Sequence, residues 1–102
     1  MSAYFLTDKT VITLSQIKFM KKTKYFTFIM QRPDREDIKE EWISRVIYDP
    51  DFEETQSDGR IKRWSKINEV NGKYLRVILL EDGETVHNAF FDRSFKEINH
   101  ES

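Results

Sequence analysis

Cysteine is absent from this 102-residue chain, which removes disulfides, thiolate nucleophiles and every cysteine-based metal site. That absence suits a reducing compartment, so the cytoplasm is the expected location. Long apolar runs are absent too. No stretch approaches the roughly 20 apolar residues needed to cross a bilayer, and MSAYFLTDKT has no basic region leading into an apolar one; neither secretion nor membrane insertion is expected. No GxxxxGK[ST] phosphate loop occurs, and the two histidines, His87 and His100, lack metal-ligand spacing. The chain is therefore read without metal or cofactor. An excess of one charge is also missing: the formal net charge is -1 and the pI about 6.1, so attraction to nucleic acid has to come from local patches.

With 38% hydrophobic and 14% aromatic residues, the chain has the material for a core that disordered sequences lack. At this length one core is expected, burying roughly 60 to 70% of the unfolded surface. No repeat, low-complexity run or linker divides the sequence, so residues 1–102 are read as a single α+β domain.

Glycine and proline are scarce, at three and two residues, and their positions punctuate the chain. Every glycine sits in a tight-turn dipeptide: Asp58-Gly59, Asn71-Gly72 and Asp82-Gly83. The intervening segments 53–57, 60–67, 73–80 and 84–92 are expected to be strands, the last three rich in β-branched and aromatic residues. Four strands in hairpin succession form an antiparallel meander. Pro33 and Pro50 bracket one helix, with Pro33 in its first turn and its end near Asp49. Ile38, Trp42, Val46 and Ile47 recur at helical spacing, while Asp34, Glu36 and Asp37 place negative charge near the helix start. Before it, residues 10–14 suit a short strand, and Tyr25, Phe26, Ile29 and Met30 fit a helical face after Thr23 as cap. The fold class is an N-terminal segment with one or two helices packed on a four-stranded antiparallel meander.

A two-residue Asp82-Gly83 loop would pair Glu81 with Glu84, then Leu79 with Val86, Val77 with Asn88 and Leu75 with Phe90. That apolar face suits burial under the helices. The other face would carry Tyr74, Arg76, Ile78, Thr85, His87, Ala89, Phe91 and Arg93, and is basic and aromatic. For the strand 60–67, a two-residue Asn71-Gly72 turn buries Lys62, Trp64 and Lys66, whereas a longer loop or bulge turns Ile61 and Ile67 inward. Either register puts Arg60, Lys62, Arg63 and Lys66 on one strand.

This face suggests single-stranded RNA. Arg76 and Arg93 suit bidentate phosphate contacts, Tyr74 and Phe91 suit base stacking, and Arg60, Arg63 and Lys66 add cations along the same sheet. His87 is the candidate general acid or base, with neighbouring cations stabilising a phosphorane-like transition state. The plainer roles are a half-buried sheet histidine, arginines covering apolar surface, and an Arg93 paired with Asp92. Lys18, Lys21, Lys22 and Lys24, interleaved with Phe19, Met20, Tyr25 and Phe26, form a basic-aromatic patch whose commoner meaning is a solvated face.

The run from Arg32-Pro33-Asp34-Arg35 through Glu41-Trp42-Ile43, Asp58-Gly59-Arg60-Ile61, Lys73-Tyr74-Leu75-Arg76-Val77 and His87-Asn88-Ala89-Phe90-Phe91-Asp92-Arg93 resembles a family of small bacterial proteins of unknown function. More distantly, a helix followed by a four-stranded meander with a late-strand arginine is similar to the toxin nucleases of the BrnT and RelE type. The resemblance implies a metal-independent ribonuclease, ribosome-dependent or free, that works from the open sheet face through Arg76, His87 and Arg93 and is neutralised by an antitoxin partner. The chain has Tyr25 and Phe26 where relatives of those toxins often carry a histidine. RNA binding or cleavage in a toxin–antitoxin setting is thus the leading expectation. The alternative is a non-catalytic domain that docks a protein partner or a second copy of itself through a sheet edge or its aromatic N-terminal segment.

Overall fold

The computed structural model describes residues 3–5, 11–13 and 20–95. Lys18, Phe19 and His100, named above, lie outside them. Two short strands, β1 (Ala3–Phe5) and β2 (Val11–Thr13), pair antiparallel with Ala3 opposite Thr13. The strand expected near residues 10–14 is present; its pairing with β1 was not anticipated. Helix α1 (Lys24–Ile29) follows, then α2 (Glu40–Tyr48). The meander comprises β3 (Phe52–Thr55), β4 (Ile61–Ile67), β5 (Lys73–Leu79) and β6 (Val86–Phe91), in the order β3-β4-β5-β6. The α+β class and the meander are as the sequence implies.

Helix α1 starts where Thr23 stands outside helical geometry and its hydroxyl accepts the Phe26 N–H at 3.0 Å, satisfying one orphan donor of the first turn. Phe26 and Ile29, three residues apart on one face, are buried. The central helix is shorter than its prolines suggest. Residues 30–37 form consecutive turns, in which Arg35 and Glu36 N–H both donate to the Arg32 carbonyl. Pro33 therefore belongs to that turn, and Glu40 and Glu41 occupy the first turn of α2 in place of Asp34, Glu36 and Asp37. Trp42, Ile43, Val46 and Ile47 face inward, and Asp49 ends the helix before Pro50.

The helices cover one side of the sheet. Ile43, Val46, Ile67, Leu75, Val77, Leu79, Val86 and Ala89 are fully buried there, and burying such aliphatic side chains is worth about 1.5–3 kcal/mol each. Arg45 of α2 is buried in the same layer and forks onto Glu69 in the β4–β5 connection, at 2.8 and 3.2 Å. The hydrogen-bonded guanidinium holds the Glu69 carboxyl below its usual range.

All three hairpin loops are longer than two residues, and the last two settle the faces. A short 3-10 turn at Asn68–Val70 precedes Asn71 and Gly72, both with positive φ, so that Ile67 pairs with Lys73 and Arg63 with Val77. Of the two registers open for β4, Ile61 and Ile67 turn inward and Lys62, Trp64 and Lys66 outward. At Asp82-Gly83, Leu80 N–H donates to the Thr85 carbonyl, closing a loop of residues 81–84, and Glu81 does not pair with Glu84. Asp82 shapes that loop by accepting the Thr85 hydroxyl and the Thr85 and Glu84 N–H groups, which hold its carboxyl down at about 2. Leu79 still faces Val86. A bulge then inserts His87, so Ile78 pairs with Asn88, Val77 with Ala89 and Leu75 with Phe91. Ala89 and Phe91 consequently point toward the helices and Asn88 and Phe90 away, the reverse of the expected pairing.

Candidate nucleic-acid interface

The side of the sheet away from the helices carries a second aromatic layer. Pairing of Phe52 with Trp64, Lys66 with Tyr74 and Arg76 with Phe90 puts these side chains on one surface by the period-2 rule. Beyond β6 the chain turns back at Asp92, whose carboxylate accepts the Ser94 hydroxyl at 2.7 Å and the Ser94 N–H at 3.0 Å. This Asx turn brings Phe95 over the sheet. Its ring stacks on Trp64 at 4.8 Å and meets Tyr74 and Phe52 at 4.9 and 5.1 Å. Trp64 is only 5% exposed as a result.

Arg76 lies inside this layer. Its guanidinium sits between Trp64 and Phe90, 5.3 and 5.1 Å from the ring centres, and contacts the Asp92 carboxylate at 2.7 Å. The Trp64 indole N–H donates to the same carboxylate at 3.0 Å. Arg35, from the turn after α1, caps the other side of Phe90 at 5.3 Å and donates to Asn88 Oδ1 and the Ala89 carbonyl. Rings and guanidinium groups thus alternate from Phe95 to Arg35. Burial pushes the Asp92 carboxyl up, but the Trp64 and Ser94 hydrogen bonds and the Arg76 charge outweigh it and hold it at about 2. The Arg76 charge is compensated inside the fold.

A pocket of about 660 Å³ opens where this layer meets the end of the β5–β6 hairpin. Tyr74, Phe90, Phe91 and Phe95 supply its rings, Lys73, Arg93 and Arg35 its cations, and Asp34 and Asp92 its carboxylates. Lys73 and Arg93 are exposed, and the side chain of neither makes a hydrogen bond or ion pair among the described residues. Cations without a partner beside aromatic walls are the combination that grips a phosphate while a base stacks.

The eight candidate side chains divide between this pocket and other duties. Tyr74, Phe91 and Arg93 line the pocket, although Phe91 arrives from the helix-facing side and packs edge-on against Trp42 at 6.2 Å. Lys66 lies near it, its ammonium over the Tyr74 ring at 5.9 Å. Arg76 is held by Asp92. Arg63 points toward the helices, donating to the Ile47 carbonyl at the end of α2 and pairing with Glu53 at 2.6 Å. Arg60 stands at the far end of β4, six residues and roughly 20 Å from Lys66. His87 stands at the start of β6, whereas Arg93 lies in the turn beyond its end; its Nδ1 meets the Thr23 hydroxyl at 3.1 Å and its ring stacks on Tyr25 at 4.9 Å. The expected shared surface of Arg76, His87 and Arg93 is not formed.

Lys73, Arg35, Asp34, Phe90 and Phe95 were missed in the sequence. Phe90 faces outward because of a bulge that carries no sequence mark, and Arg35 reaches the site because residues 30–37 form turns in place of a first helical turn. Phe95 had a signal: Asp92 followed by Ser94 is an Asx-turn pattern that returns the chain onto its sheet.

No protein-family model, curated protein or solved structure matches the chain. Among the described residues, no helix is long and apolar enough to cross a membrane.

Proposed function

We propose that this chain is an RNA-binding module that holds a single-stranded segment in the pocket at the end of the β5–β6 hairpin. The observation that carries the reading is the pair of cations, Lys73 and Arg93, whose side chains have no partner among the described residues, beside the Tyr74, Phe90 and Phe95 rings in one concavity. Stacking by aromatic side chains contributes about 1–3 kcal/mol per base and tolerates any base, while the cations set the phosphate contacts. Cleavage is not part of the proposal, because His87 lies far from these cations and Arg76 is neutralised by Asp92. Titration of a fluorescent, unstructured RNA against the protein tests it. Lys73→Ala and Arg93→Ala should each weaken binding and reduce the slope of log affinity against log salt by about 0.7, the increment for one phosphate no longer neutralised. Binding that ignores both substitutions and is flat with salt would sink it.

The docking alternative has its own support. Among the described residues β3 is unpaired along its outer edge, and Phe28 of α1 is 68% exposed. Light scattering separates the two readings: a dimer that dissociates on Phe28→Ser, with no RNA affinity, would favour this one.

A further inference from the structure

We infer that the pocket takes one nucleoside 5′-monophosphate unit with a free ribose diol, supplied by the 3′ end of an RNA strand or by a free mononucleotide. The inference rests on the RNA-binding reading and specifies which part of the RNA enters. Size gives the first argument. A volume of about 660 Å³ falls in the range of sites that enclose one small molecule, roughly 300–1,000 Å³, and Arg35 closes one side of it. Arg35 is itself held in place there, bonding Asn88 Oδ1 at 2.8 Å and the Ala89 carbonyl at 3.0 Å.

Charge polarity gives the second argument. Lys73 and Arg93 stand at the sheet end, whereas the turn after α1 contributes Asp34. A phosphate belongs beside the cations; a second phosphate near Asp34 would have no proton to donate to that carboxylate, whose charge Arg32 and Arg35 already meet. Hydroxyl groups have one. A carboxylate accepting from ribose hydroxyls is a recurrent solution in nucleotide recognition. Asp34 touches Arg32 Nε at 3.1 Å and Arg35 Nε at 3.4 Å, and its side chain is 56% exposed. A carboxylate has about four lone-pair sites, so acceptor capacity remains. With the phosphate on Lys73 and Arg93 and the diol on Asp34, the base falls on the Tyr74 side of the pocket.

The full chain is titrated with one unstructured RNA ending in a 3′-hydroxyl, with the same RNA ending in a 3′-phosphate, and with adenosine 5′-monophosphate as competitor. The 3′-phosphate should weaken binding about tenfold, the size of a missing hydrogen bond to a charged group, and Asp34→Asn should remove most of that difference. Competition by the mononucleotide would assign the site to free nucleotides, and its failure to compete would assign it to strand ends. Equal affinity for the two RNAs would overturn the inference and leave the RNA-binding reading standing. Absence of any RNA or mononucleotide binding would overturn both.

Discussion

At Asp92 the Trp64 indole, the Arg76 guanidinium, the Ser94 hydroxyl and the Ser94 and Phe95 N–H groups all donate to one carboxylate. Its folded pKa, about 2 against an ordinary 3.8, makes that convergence a stability statement. The group is depressed, so its contribution is fully present above the ordinary value and is lost as pH falls through about 2. The shift corresponds to roughly 2 kcal/mol. Asp92→Asn keeps the shape but leaves Arg76 facing a neutral amide, so urea denaturation at neutral pH should show a loss of about 2–3 kcal/mol. The gap between variant and parent should close as pH drops from about 4 to 2. Equal stability at neutral pH would mean that the ion pair contributes nothing. The same residue shows why the site was only partly legible in the sequence. Arg76, Tyr74 and Arg93 were identifiable as cations and rings on late strands, but whether an arginine is free or consumed by a carboxylate sixteen positions away depends on the turn that places Asp92.

Among the elements, α1 is fixed to β6 by a short chain of polar groups. Thr23 N–H donates to the Val86 carbonyl at 3.0 Å, and Val86 N–H to the Lys21 carbonyl at 2.9 Å. The Thr23 hydroxyl, which accepts the Phe26 N–H, also lies within hydrogen-bond distance of His87 Nδ1, at 3.1 Å. Burial, with the Arg60 charge second, holds the His87 pKa below its ordinary 6.5, so the unfolded chain binds more protons near that pH. Stability is therefore full above 6.5 and declines as pH falls below it. Thermal melts between about pH 7.5 and 5.5 should show this decline, and His87→Phe, which keeps the ring against Tyr25, should flatten it; identical slopes in the two proteins would refute the link. Element identity was largely readable in advance from glycine dipeptides, prolines and apolar spacing. Register was not. The Asp82 side chain widens its own loop and His87 bulges to meet α1, and one inserted residue exchanges every side chain beyond it between faces.

The whole molecule is a sheet shared by two layers of different character, aliphatic beneath the helices and ring-and-guanidinium on the other side. The sequence suggested an open outer surface because strand alternation shows which residues share a face without showing what folds back over them. Phe95, three residues past Asp92, supplies that cover. Each layer contains one of the chain's two tryptophans: Trp42 of α2 packs in the helix-covered core, and Trp64 stacks in the outer layer. Strands β4 and β5 contribute alternate side chains to both layers, so neither can come apart without exposing the other's floor. Such a chain should unfold as one cooperative unit, as domains below roughly 150 residues generally do. Trp42→Phe leaves Trp64 to report the outer layer by fluorescence, while far-UV circular dichroism of the same variant reports the sheet and helices together. Their urea midpoints should agree to within about 0.2 M, a small fraction of a transition whose slope is on the order of 1–2 kcal/mol per M. Trp64→Phe, observed through Trp42, should again give one midpoint for both probes, lowered by the missing indole hydrogen bond by about 1–2 kcal/mol. An outer-layer signal that vanishes well before the circular dichroism would show instead that the Phe95 turn peels away on its own, leaving the Tyr74 and Phe90 rings more open than the folded structure has them.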